Sequence, residues 1–129
     1  MVGAKDKKVS DATRIAIVED DDSFQLALVE LLGSFGYDAK GFVSAEAFLA
    51  DDPARFDCLV TDINLPGISG LELCRMMTMR TPRLPVIVIT AVPDHQLDNA
   101  ATAAGAVCLL RKPIDADDLI ARLKQTLGS

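Results

Sequence analysis

The sequence predicts an α/β fold: a doubly wound parallel sheet of five strands covered by helices on both faces. Two observations carry this. Short apolar runs alternate with segments whose apolar residues recur at helical spacing. The stretches between runs are too long for hairpins, so the strands must be joined by parallel crossovers.

The first run, IAIV (15–18), has the length and composition of a strand buried on both faces. Phe24, Ala27, Leu28, Leu31, Leu32 and Phe35 then mark one face of a first helix, with Gly36 as its stop. YDAKGFV (37–43) is more polar, as an edge strand would be. Ser44 before AEAFLA predicts a short capped helix, because its hydroxyl can accept a bond from an unpaired first-turn amide. CLV (58–60) is the third strand, and GLELCRMMTMR (70–80) is the third helix, ended by Thr81 and Pro82. VIVI (86–89) is the fourth strand. DHQLDNAATAAG (94–105) predicts a fourth helix with a mostly alanine face, which buries little area and is therefore expected to be the most mobile. VCLL (107–110) is the fifth strand, and Leu119, Ile120, Leu123 and Leu127 mark a last helix starting near Asp115.

A chain of 129 residues is one domain by length and can bury a core without disulfides or a structural metal. The expected division is a flexible N-terminal tail over residues 1–13 and one domain over 14–127, with no output domain in this chain. Cys58, Cys74 and Cys108 are odd in number and lack CxxC spacing, so they read as small buried hydrophobes of a reducing, cytoplasmic protein. No apolar run approaches the roughly twenty residues needed to span a bilayer, and the N-terminus is too polar for a signal peptide. A net charge of −6 argues against direct nucleic-acid binding, and the only basic cluster, Lys5, Lys7 and Lys8, lies in the tail.

The chemistry gathers where the strands end. The first run leads into Glu19-Asp20-Asp21-Asp22, the third into Asp62, the fourth into Thr90 and the fifth into Arg111-Lys112-Pro113. Carboxyl ends of parallel strands share one edge, and open α/β sheets bind ligands there, where strand order reverses. If the strand order is 2-1-3-4-5, the reversal lies between the first and third strands, and Glu19, Asp20 and Asp62 meet in one cleft. Two carboxylates about 5 Å apart repel by roughly 3 kcal/mol at an effective dielectric near 20, so three call for a cation. An oxygen-only donor set suits Mg2+ better than zinc. Lys112 and Thr90 add a fixed positive charge and a hydroxyl donor, which together suit a phosphate dianion. Each residue alone has an ordinary reading: acids favour helix N-termini, Thr favours strands, and Asp followed by Pro-Gly forms turns. His95 stands alone in a polar segment and reads as exposed, and Tyr37 reads as a packing residue.

The segments IAIVEDDDSF, LVTDINLPGISGLEL, VIVITA and GAVCLLRKPI together resemble the receiver domain of bacterial two-component response regulators, from about Arg14 to Leu127. The resemblance implies a flavodoxin-like fold of strand order 2-1-3-4-5, with Asp62 as phosphoacceptor. Mg2+ would be ligated by Asp20 and Asp62, by Glu19 through water and by the Asn64 backbone carbonyl. Thr90 would move to bond the phosphoryl group and Lys112 would hold its oxygen. The Lys112–Pro113 peptide is expected to be cis. The implied donor is a phosphohistidine on a sensor histidine kinase or phosphotransfer protein. The implied outputs are a downstream protein partner, an output domain outside this chain, or a phosphorylation-dependent dimer. The implied role is that of a regulator, assisting its own phosphorylation and slow dephosphorylation.

Two departures stand out. Leu109 occupies the position of the aromatic that couples to the threonine in many receivers, so the switch is expected to run through the fourth helix instead. Glu19 replaces the commoner Asp. Two competing readings share part of the pattern. A haloacid-dehalogenase-like phosphohydrolase would need an acid where Asn64 stands. A flavodoxin-like nucleotide or flavin binder would need a phosphate cradle where EDDDSF stands.

Overall fold

The computed structural model of the protein describes residues 12–128. The expected tail and its Lys5, Lys7 and Lys8 lie outside the described residues, apart from Ala12 and Thr13. Strands β1 (Arg14–Val18), β2 (Asp38–Phe42), β3 (Cys58–Asp62), β4 (Val86–Thr90) and β5 (Cys108–Arg111) alternate with helices α1 (Asp22–Ser34), α2 (Ala45–Ala50), α3 (Gly70–Met79), α4 (Gln96–Ala103) and α5 (Ala116–Leu127). All pairings are parallel, in the order β2-β1-β3-β4-β5.

Period-2 alternation along each strand divides the core into two layers. Ala16 and Val18 of β1 join Phe42, Phe48, Leu59, Leu73 and Val88 on one face. Ile15 and Ile17 join Leu28, Leu32, Val60, Leu119 and Leu123 on the other. In the first layer Phe42 meets Phe48 and Phe56 edge-on, with ring centroids 5.5 and 5.8 Å apart.

The caps behave as their residue types dictate. Ser44 accepts the Ala47 amide at 3.0 Å, and Asp115 accepts those of Asp117 and Asp118 at 2.9 and 3.3 Å. A 3-10 turn over Pro53–Arg55, capped by Asp52, is an element the apolar pattern does not reveal.

Three details differ from expectation. The buried stripe of α1 is centred on Leu28 and Leu32, whereas Ala27 is exposed and Phe35, one residue beyond the helix, is 48% exposed. Helix α4 begins at Gln96 rather than Asp94, because the Asp94 carboxylate accepts the Gln96 amide at 2.9 Å in a turn. Cys58 and Cys74 are buried, but Cys108 is only half-buried, because β5 is an edge strand.

Candidate functional site

Backbone pairing continues past each strand and aligns the carboxyl edge. The Glu19 amide donates to the Phe42 carbonyl at 2.9 Å, Ile63 to Ile89 at 2.9 Å, and Lys112 to Thr90 at 2.8 Å. Asp62 is in register with Ile89, so Thr90 stands one residue further along the adjacent strand. Gly70 opens α3 against the backbone of this edge. A Cβ there would overlap the Asp62 carbonyl oxygen and come within 2.8 Å of the Ile63 Cα.

The side chains converge on Lys112. Its Nζ donates to Asp62 Oδ2 at 2.8 Å and to Glu19 Oε1 at 3.0 Å. Glu19 and Asp62 are only 2% and 6% exposed. Their remaining oxygens are also engaged: the Asn64 amide donates to Asp62 Oδ1 at 2.9 Å, and the Asp21 amide to Glu19 Oε2 at 3.1 Å. The Phe24 ring lies 4.4 Å from Lys112 Nζ. Burial raises the Glu19 carboxyl above its usual range, against the opposing hydrogen bond from Lys112. For Lys112, burial works against the ammonium, but hydrogen bonds to Asp62 and Glu19 outweigh it and raise the pKa. One ammonium against two carboxylates leaves a net negative, water-poor pocket.

The other expected residues fall around this centre. Thr90 is fully buried, and its hydroxyl accepts the Val92 amide at 3.0 Å. Asp20 and Asn64 are exposed. Of the three expected carboxylates, Glu19 and Asp62 are bonded to Lys112, and Asp20 is exposed. Among the described residues no three His, Cys, Asp or Glu side chains form a ready-made metal cage. Leu109 is half-buried and packs against the core layer beneath α2 and α3. The Lys112–Pro113 peptide is cis, as is Thr81–Pro82, which was not anticipated. His95 is exposed, with its side chain 97% accessible, and Tyr37 packs against the layer beneath α1 and α5.

Sequence reasoning overlooks Gln25. Its amide donates to the Glu19 carbonyl at 2.9 Å and to the Phe42 carbonyl at 3.0 Å, tying β1 to β2 at the edge. Gly41 makes room for it, since a Cβ there would overlap the Gln25 amide. A glycine inside an edge strand is the signal that could have pointed to such an approach.

The sequence profile of the response regulator receiver domain matches residues 15–124. The chain belongs to this family. It is 39% identical to the transcriptional regulatory protein FixJ of Azorhizobium caulinodans over 115 residues, covering 88% of this chain and 54% of FixJ. It is 33% identical to the transcriptional regulatory protein TdiR of Thauera aromatica, covering 94% of this chain and 54% of TdiR. The chain thus spans about half the length of these curated relatives. The BeF3-activated DrrB receiver domain superposes with a TM-score of 0.84 at 35% identity, over 92% of this chain and 99% of that one. The FixJ N-terminal structure gives 0.81 at 34% identity, over 90% and 94%.

The protein is therefore a response regulator receiver domain of two-component phosphorelay signalling, with the flavodoxin-like fold, and not a member of a classical enzyme family. The phosphohydrolase and nucleotide-binder readings fall with this match. Among the described residues no helix is long and apolar enough to cross a membrane.

Proposed function

We propose that Asp62 accepts a phosphoryl group from a phosphohistidine on a sensor histidine kinase or phosphotransfer protein, and that the receiver unit spans residues 14–127. The observation that carries this reading is the Lys112 ammonium, held on both Asp62 and Glu19 at the carboxyl edge of the sheet. A carboxylate oxygen of Asp62 attacks phosphorus, the P–N bond to the donor imidazole breaks, and the imidazole leaves with its electron pair. Lys112 is already at hydrogen-bond distance from Asp62 and is placed to carry negative charge on a phosphoryl oxygen. The Thr90 hydroxyl, one residue beyond the register partner of Asp62, reorients from the Val92 amide to donate to the phosphoryl group.

The donor chemistry fits Mg2+: oxygen donors only, carrying more negative charge than Lys112 offsets. Asp20, Asp62, the Asn64 backbone carbonyl and, through water, Glu19 would hold the ion. When bound, Mg2+ neutralises charge on the phosphoryl oxygens. Phosphorylation adds nearly two negative charges. With Leu109 in β5, the switch passes through α4 to a protein partner, an output domain elsewhere in a longer chain, or a second copy. Intact-mass spectrometry after incubation with Mg2+ and acetyl phosphate tests the reading. One phosphoryl mass is expected on the wild-type protein, none on Asp62→Asn and none with chelator. Equal labelling of Asp62→Asn would refute it.

A further inference from the structure

We infer that Phe24 is a positioning residue for Lys112, its ring holding the ammonium in the site while Asp62 changes from carboxylate to acyl phosphate. The inference rests on the phosphoacceptor reading above and deepens it.

Lysine carries a compact charge on a flexible four-carbon stem, so an inward-facing ammonium must be restrained from escaping to water. Glu19 and Asp62 restrain it from two sides at 3.0 and 2.8 Å. The Lys112 side chain still keeps 22% of its surface accessible. On a further side stands Phe24, with its ring centroid 4.4 Å from Nζ, within the range where a ring attracts a cation.

The ring is itself fixed. The Phe24 amide donates to Asp21 Oδ1 at 3.1 Å in the helix cap. The Asp21 amide is bonded in turn to Glu19 Oε2, and Phe24 packs against the core layer beneath α1 and α5. The neighbouring Gln25 pins the Glu19 carbonyl. The β1–α1 junction, from Glu19 to the first turn of α1, therefore presents the carboxylate and the ring to Lys112 as one hydrogen-bonded unit.

The two kinds of contact respond differently to the reaction. When Asp62 takes a phosphoryl group, the hydrogen bond to Asp62 Oδ2 must be exchanged for one to phosphate. Such a bond is directional and is lost as the ammonium moves. Attraction to a ring falls off gradually with displacement, so Phe24 retains the ammonium during the exchange. An aliphatic side chain of similar bulk would cover Lys112 without attracting it.

The test compares wild type, Phe24→Leu and Phe24→Tyr. The rate of phosphoryl incorporation from acetyl phosphate is read beside the NMR shift of the Lys112 Hε protons and the thermal midpoint. Phe24→Leu is expected to label about three- to tenfold more slowly than wild type. Its Lys112 Hε resonances should lose an upfield ring-current displacement that wild type shows. Phe24→Tyr, which keeps the ring, should restore both readouts, with both variants melting as cooperatively as wild type. Equal rates in wild type and Phe24→Leu, or a Phe24→Tyr as slow as Phe24→Leu, overturn the positioning role while leaving the phosphoacceptor reading intact. A wild type that takes no label at all, despite a displaced Lys112 resonance, overturns the phosphoacceptor reading and the positioning role with it.

Discussion

Two glycine-to-alanine substitutions should act in opposite directions. At Gly70 an added Cβ would overlap the Asp62 carbonyl oxygen and sit 2.7 Å from the Asp62 carbonyl carbon and 2.8 Å from the Ile63 Cα. These are backbone atoms, so relief requires moving α3 away from β3. Overpacking by one methyl costs about 1–3 kcal/mol where side chains can yield, and against rigid backbone the upper end is expected. For a domain of this size about 3 kcal/mol lowers the thermal midpoint by roughly 10 °C. At Gly33, in the last turn of α1, nothing lies within 4 Å of an added Cβ. There alanine should gain about 0.5–1 kcal/mol of helix propensity. Urea denaturation of Gly33→Ala, Gly70→Ala and wild type measures both. Because two of the three crowded atoms belong to Asp62, Gly70→Ala should also label poorly with acetyl phosphate. A Gly70→Ala protein as stable as wild type would refute the claim that α3 is seated directly on the backbone of Asp62.

Burial pushes the Cys58 thiol up to about 12 and the Cys74 thiol up to about 11. At pH 8 only about one Cys58 in ten thousand would then be thiolate, so mapped alkylation should reach half-buried Cys108 first and all three only in denaturant; early labelling of Cys58 would contradict its burial. The hydrogen bond from Lys40, followed by that from the Asp52 amide, holds the Asp51 carboxyl below its ordinary value of 3.8. A lowered folded pKa means stability present above the unfolded value and lost as pH falls through the folded one. Asp51→Asn should therefore flatten the acid limb of stability against pH, and an unchanged limb would show that the Lys40–Asp51 pair at 2.7 Å contributes nothing. The Glu46 carboxylate accepts the Ile68 amide at 2.9 Å across 22 residues, beside Gly67. Glu46→Ala should remove hydrogen-exchange protection at Ile68 and leave α5 unaffected. In the wild type, α4, with Ala101 as its single buried residue, should exchange faster than α5, which buries Leu119, Ile120 and Leu123; slower exchange in α4 would refute the link from small buried area to mobility.

The strands and the chemistry of their shared edge were legible from periodicity and from what stands at each strand end, whereas the strand order came with the family resemblance. Runs such as VIVI have one reading in a two-sided parallel sheet, and Ser44 and Asp115 cap for reasons internal to their own segments. The pairing of Lys112 with Glu19 and Asp62 was legible only as a shared edge. Its geometry depends on side chains that sequence cannot orient. Asp20 and Glu19 were expected side by side in the cleft; their neighbouring positions differ in burial, with Glu19 buried on Lys112 and Asp20 exposed. Gln25 and Gly70 stayed hidden for a related reason. A glutamine on a helix usually faces water, and a glycine opening a helix usually serves its own turn, so only the neighbouring backbone discloses what each is for. The Asp94 turn shortened α4 because a side chain competing for a backbone amide is a local event that helical spacing does not register.

The lysine at the centre of the site is separated by 93 residues from Glu19 and by 50 from Asp62. Its backbone is also sewn to the fourth strand through Thr90. During synthesis, therefore, a nascent chain exposes both acids long before their counter-ion has been made. Without β5 in place, Glu19 and Asp62 have no lysine between them, and their mutual repulsion opposes closure of the pocket. A half-made or locally unfolded receiver would thus lack the charge arrangement that accepts phosphate. Completion of the fold itself becomes the first check on whether a signal can be received.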